Sequence, residues 1–121
     1  MRNIAKSDKF YQAHPATVQL MEYIDENFAE TENLGDLCKK LNFTLPYVSR
    51  RFKSDTGFTY NQFLQKTRIE QSCRLLLETN TPIIEIAQRV GYNDIKFFGK
   101  IFKQNTKMTP SEFRKNTKSL D

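Results

Sequence analysis

The sequence contains no tryptophan, only 4 glycines and 4 prolines, 2 cysteines and a single histidine among its 121 residues. Cys38 and Cys73 lie far apart in no CxxC pair, and with His14 alone they cannot build a four-ligand zinc site. No metal or other cofactor is therefore expected. Two unpaired thiols fit a reduced, cytoplasmic setting. No apolar run approaches the ~20 residues needed to span a bilayer. The start, Met1-Arg2-Asn3-Ile4-Ala5-Lys6, lacks the continuous apolar core of a secretion signal. One histidine, scattered carboxylates and no phosphate-cradling glycine loop leave no catalytic set, so an enzyme is not expected. The length leaves no room for a barrel or a doubly wound sheet.

Charge is what the sequence has in quantity. There are 19 Lys and Arg against 14 Asp and Glu, a formal net charge of +5. Such a balance favours polyanionic partners: nucleic acid, an anionic membrane or an acidic protein. With 38% hydrophobic and 27% charged residues the chain should fold. The charge is unevenly spread: residues 1–33 hold 3 basic and 6 acidic side chains, residues 34–121 hold 16 and 8. Any basic surface lies beyond residue 33.

Scarce glycine and the absence of sustained alternation predict an all-α chain of about seven helices. His14-Pro15 starts the first, with proline in the first turn and Val18, Met21, Ile24 and Phe28 at helical spacing. Glu22, Asp25, Glu26 and Glu30 make its outer face acidic. Asn33 can cap a second helix, with Leu34, Leu37, Cys38 and Leu41 on one stripe; Thr44 can cap a third, ended by Gly57. Thr59-Tyr60-Asn61-Gln62 is a capping box opening the longest helix, to about Thr79. At 1.5 Å per residue that helix spans roughly 30 Å. Thr81-Pro82 starts a fifth helix, Asp94 caps a sixth, and Thr109-Pro110-Ser111-Glu112 opens a short seventh through Phe113 and Arg114.

The chain also repeats itself. At an offset of 49, Leu34, Leu37, Cys38, Leu41, Asn42 and Phe43 match Ile83, Ile86, Ala87, Val90, Gly91 and Tyr92. After one inserted residue near Asn93 the offset becomes 50. Tyr47, Val48, Arg50, Phe52, Lys53, Thr56, Thr59 and Phe63 then match Phe97, Phe98, Lys100, Phe102, Lys103, Thr106, Thr109 and Phe113. Each copy has the grammar of a helix-turn-helix. A small residue (Cys38, Ala87) permits a close helix crossing. Asn42 or Gly91 follows, tolerant of the left-handed backbone a sharp turn demands. An aromatic (Phe43, Tyr92) plugs the space beneath, and a capped second helix begins. A single copy could be an ordinary corner between helices; two aligned copies argue against that.

The second helix of each copy is the candidate reader of a partner. Its expected inner face is Tyr47, Val48 and Phe52, or Phe97, Phe98, Ile101 and Phe102. Its expected outer face is Pro46, Ser49, Arg50 and Lys53, or Ile95, Lys96, Gly99, Lys100 and Lys103. A basic face with small residues interspersed suits the major groove: small side chains permit approach, and Arg or Lys reach guanine or phosphate. One basic helix face commonly serves only solubility. Two at equivalent positions argue for DNA.

At this point a family becomes recognisable. Thr56-Gly57-Phe58-Thr59 through Phe63, then Arg68-Ile69-Glu70 with Leu75-Leu76-Leu77, resembles the linker of the AraC/XylS family of bacterial transcription regulators. Ile83 through Asp94, with Phe98 and Phe102-Lys103, resembles the signature of that family's second helix-turn-helix. Met108-Thr109-Pro110-Ser111-Glu112-Phe113-Arg114 resembles its closing motif, so the likeness runs from about Pro15 to Lys115.

The resemblance implies two helix-turn-helix subdomains, each a homeodomain-like three-helix unit, joined by a long linker helix. Residues 15–58 and 81–115 would form the subdomains and 59–80 the linker. Residues 1–14 would be a flexible segment or linker remnant, and 116–121 a flexible tail. Recognition helices at about 44–55 and 94–105 would enter successive major grooves of double-stranded DNA. A linker of ~30 Å is close to the ~34 Å of one duplex turn. The implied function is sequence-specific promoter or operator binding by a transcription activator, with RNA polymerase as a further partner. Pro46, Ser49, Arg50, Ile95, Lys96, Gly99 and Lys100 match family positions that contact bases or backbone, and Lys53 and Lys103 extend the same faces.

Three departures stand out. Lys107 replaces the usual glycine of the turn, Arg51 sits where the second copy has Ile101, and Pro46, Ile95 and Gly99 offer no side-chain hydrogen bonds. Direct readout would then rest on Ser49, Arg50, Lys96 and Lys100, with DNA shape supplying the remainder. Residues 1–14 cannot hold the family's effector or dimerisation domain, so a fragment of a longer regulator is expected over a stand-alone activator. The alternative is a helical protein–protein interaction module docking RNA polymerase or another partner through the acidic first helix or the basic faces.

Overall fold

The computed structural model describes residues 13–30 and 33–118, and every regular element among them is a helix. In chain order these are α1 (Pro15–Asn27), α2 (Leu34–Leu41), α3 (Leu45–Thr56), α4 (Tyr60–Glu78), α5 (Ile83–Arg89), α6 (Ile95–Thr106) and α7 (Pro110–Lys118). The chain divides into two compact units between Gln65 and Lys66, inside α4.

The first unit gathers Ala16, Leu20, Met21 and Ile24 of α1, Leu37 and Cys38 of α2, Val48 and Phe52 of α3, and Tyr60 and Phe63 of α4. These recur every three or four residues, so each helix turns one stripe inward. Phe52 is fully buried and meets the rings of Tyr60 and Phe63 edge-on, at 6.2 and 5.5 Å. α1 begins at His14, whose Nδ1 accepts from the Ala16 N–H at 3.0 Å. The His14 N–H donates in turn to the Asp55 carboxylate at 3.0 Å, as does the Thr17 hydroxyl at 2.8 Å. Arg51 Nε, one turn before Asp55 on α3, completes the cluster at 3.2 Å. Arg51 is thus half-exposed and paired, which resolves its place opposite Ile101 in the repeat.

The second unit buries Ile69 and Leu76 of α4, Ile86 and Ala87 of α5, then Val90, Tyr92, Phe98, Ile101 and Phe102. The Arg68 guanidinium lies 5.4 Å from the centre of the Tyr92 ring. From α7, Arg114 donates to the carbonyls of Leu76 and Thr79, each at 3.2 Å. The last carbonyls of a helix have no partner within it, so Arg114 closes the end of α4.

The internal repeat extends to individual hydrogen bonds. Thr56 donates to the Phe52 carbonyl at 2.8 Å and accepts from the Phe58 N–H at 3.1 Å. Thr106 does the same with Phe102 at 2.9 Å and Met108 at 3.2 Å. The capping boxes match as well. Thr59 exchanges hydrogen bonds with Gln62 and Thr109 with Glu112, at 2.9 and 3.1 Å in both. The Phe102 and Phe113 rings meet at 5.5 Å, the same separation as Phe52 and Phe63.

The structure departs from the sequence reading in four places. Thr44 makes no side-chain cap bond; Pro46 removes one of the two N–H groups such a cap could use and leaves only that of Tyr47, whereas Asp94 caps α6 through the N–H groups of both Lys96 and Phe97. α7 continues past Arg114 to Lys118, since no glycine or proline interrupts it. Of the segments expected to be flexible, residues 1–12 and 119–121 lie outside the described residues, while His14 is held by Asp55 and 116–118 are helical. Lastly, Tyr47 and Phe97 are not inward: each is 47% exposed. Both stand in the first turn of their helices, about 100° away from the buried neighbours Val48 and Phe98. Tyr47 instead rests edge-on against the His14 ring at 5.4 Å, and Phe97 against Tyr92 at 6.0 Å.

Candidate nucleic-acid interface

The local sequence fixes how each second helix leaves its turn. Asn42 closes α2 in the left-handed region at φ 60, and the Phe43 N–H reaches back to the Cys38 carbonyl at 2.9 Å. Gly91 does the same after α5 at φ 106, with the Tyr92 N–H bound to the Ala87 carbonyl at 2.8 Å. Cys38 and Ala87, the small residues of the crossing, are buried. Burial raises the pKa of the Cys38 thiol, and burial followed by the charge of Glu70 pushes Cys73 up to about 11. Both thiols are therefore protonated and unreactive near neutrality.

Spacing then sets the outer faces. Residues 46, 49, 50 and 53 lie on one side of α3, and 96, 99, 100 and 103 on one side of α6. Pro46, Ser49, Arg50 and Lys53 are exposed, as are Ile95, Lys96, Lys100 and Lys103; Gly99 is half-buried. The sequence reading placed all nine on these faces. Within each unit, the structure brings that unit's set together.

Arg51, Lys66, Arg74 and Arg89 each pair with a carboxylate four residues away along their own helix. Among the described residues, no ion pair engages Arg50, Lys53, Lys96 or Lys100. Lys103 lies near Glu112, whose carboxyl is held low first by the Thr109 hydrogen bonds and then by that lysine. An unpaired guanidinium or ammonium on a small-residue face is available to phosphate oxygens and base edges.

Sequence reasoning missed the exposed Tyr47. With Arg50, Arg51 and Ser54 it lines a shallow surface depression on α3. Its phase within the helix, one residue before buried Val48, carried the signal. No group of three or more His, Cys, Asp or Glu among the described residues could hold a metal ion. Nor is any described helix long and apolar enough to cross a membrane.

Two turn-linked helix pairs with unpaired basic faces define a double helix-turn-helix DNA-binding domain. Residues 37–116 match the helix-turn-helix domain family. The chain belongs to the AraC/XylS family of transcription regulators, as a DNA-binding domain of that family. It is 29% identical over 113 residues to the transcriptional activator RhaR of Mannheimia succiniciproducens, covering 93% of this chain and 41% of that protein. It is 34% identical over 102 residues to AdaA of Bacillus subtilis, a bifunctional transcriptional activator and DNA repair enzyme, covering 82% of this chain and 47% of that protein. Among solved structures, the C-terminal domain of AraT, a response regulator from Geobacillus stearothermophilus, superposes with a TM-score of 0.82 at 32% identity, covering 87% of this chain and 88% of that one. The chain thus spans less than half the length of the two curated relatives.

Proposed function

We propose that α3 and α6 are the recognition helices of a transcription activator and that each enters a major groove of one promoter duplex, in successive turns. Pro46, Ser49, Arg50 and Lys53 face one groove; Ile95, Lys96, Gly99, Lys100 and Lys103 face the other. The observation that carries this reading is the recurrence of an exposed basic face at equivalent positions, with Arg50, Lys53, Lys96 and Lys100 outside every ion pair among the described residues. Arginine and lysine reach guanine O6 and N7 or phosphate, and the Ser49 hydroxyl donates or accepts. Pro46, Ile95 and Gly99 bring no side-chain donor, so DNA shape supplies selectivity at those points. The two faces differ in sequence, so the site read is not a palindrome. RNA polymerase is the further partner through which a bound activator raises transcription, and the cytoplasm is where both are met.

The direct test is an anisotropy titration against the promoter of the chain's own operon at several salt concentrations, with a footprint of the complex. The promoter should outcompete scrambled duplex, affinity should fall steeply with salt, and protection should fall in two tracts about 10 base pairs apart. Equal affinity for promoter and scrambled duplex at every salt concentration overturns the reading. A single protected tract overturns the engagement of both helices.

A further inference from the structure

Gly99 stands in the interior of α6, five residues into a 12-residue helix. Two ordinary reasons for a glycine fail there. Its backbone makes no use of glycine's freedom: positive φ among the described residues is confined to Asn42, Gly57, Gly91 and Lys107. Packing does not require it either, since a Cβ built at Gly99 meets no atom within 4 Å beyond its chain neighbours and the helix's own backbone. Apart from proline, glycine is the least favourable residue in a helix interior. α6 therefore carries a cost that neither turn nor core explains.

The setting supplies the explanation. Lys96, Lys100 and Lys103 are exposed on the same side, so at Gly99 the main chain itself forms the surface at the centre of a cationic face. The first unit has Ser49 at the equivalent position, also small. Long cationic side chains reach phosphates at a distance from the helix; bare main chain between them suits a surface pressed directly against it. We infer that Gly99 is the point of closest approach between α6 and the base edges of the major groove. The absent Cβ sets how deeply α6 seats, and through that depth which bases Lys96 and Lys100 reach. This rests on the DNA-contact reading of α6.

The test is Gly99→Ala, with Gly99→Ser beside it and the parent chain titrated in parallel. Alanine favours the helix and clashes with nothing inside the fold, so the melting temperature should rise by a few degrees. Affinity for the specific site should fall about tenfold, with non-specific affinity and the salt slope little changed. Gly99→Ser should fall in the same direction. Unchanged specific affinity in Gly99→Ala overturns the inference, and so does a lowered melting temperature, which would put the role of the glycine inside the fold. Failure of the parent chain itself to discriminate overturns the DNA reading instead, which keeps the two distinguishable.

Discussion

Lys107 ends α6 in the left-handed region at φ 68, where Gly57 ends α3 at φ 82. A side chain there costs about 1–2 kcal/mol, against about 0.5–1 kcal/mol that glycine loses through its freer unfolded chain. Lys107→Gly should therefore stabilise the second unit by about 0.5–1 kcal/mol, read as a raised urea midpoint. Asp55 makes the opposite case. Burial alone would raise the pKa of its carboxyl, but the His14 N–H, the Thr17 hydroxyl and the Arg51 guanidinium outweigh that and hold it below the usual aspartate value. A lowered folded-state pKa contributes stability fully above the unfolded value near 3.9, and that contribution is lost as pH falls through the folded value. Melting at graded pH should show the parent chain losing stability below about pH 4 more steeply than Asp55→Asn, which should already be weaker at pH 7 by about 1–3 kcal/mol. The left-handed turns at Asn42 and Gly91 were legible because their residue types suit that backbone. The Asp55 cluster was not: it joins residues 38 and 41 positions apart, and sequence spacing marks only its Arg51–Asp55 leg.

At the scale of the helix, α3 and α6 are copies with different starts. Asp94 accepts from two N–H groups at 2.9 and 3.2 Å, whereas Thr44 accepts from none. Asp94→Ala should cost about 1 kcal/mol and Thr44→Ala close to nothing, compared by thermal melting of the two variants. Equal costs would contradict the difference in capping between the two helix starts. Helix positions could be read from caps and periodicity because those signals are local. The inner faces could be read only in part. Tyr47 and Phe97 are aromatic and were assigned to the core by composition, yet helical phase puts them beside the core rather than in it. The end of α7 differs for a related reason: the reading stops at Arg114, just past the inward Phe113, though no glycine or proline breaks the helix before Lys118.

At the scale of the whole molecule, the chain's charge is concentrated beyond residue 33 and part of it lies on two equivalent faces. If both helices grip one duplex, Arg50→Ala and Lys100→Ala should each weaken specific binding by about 1–3 kcal/mol. As the two residues belong to separate units, the double variant should lose the sum within about 0.5 kcal/mol, measured by the same titration. A double variant no weaker than the worse single one would mean that only one helix binds. The repeat made the architecture legible, since two matched copies of a turn motif leave few alternative folds. Which cations stay unpaired was not legible, because that depends on where every carboxylate comes to rest.

The matched threonines have a practical consequence. The Phe58 and Met108 amides are each held by a threonine hydroxyl in the same local geometry, one in each unit. Their hydrogen-exchange rates, once each is corrected for its own neighbours (Gly57-Phe58 and Lys107-Met108), form a paired clock, because the hydrogen-bond geometry is shared and the surrounding unit differs. The molecule thus carries its own calibrated reporter of whether its two halves open together or apart.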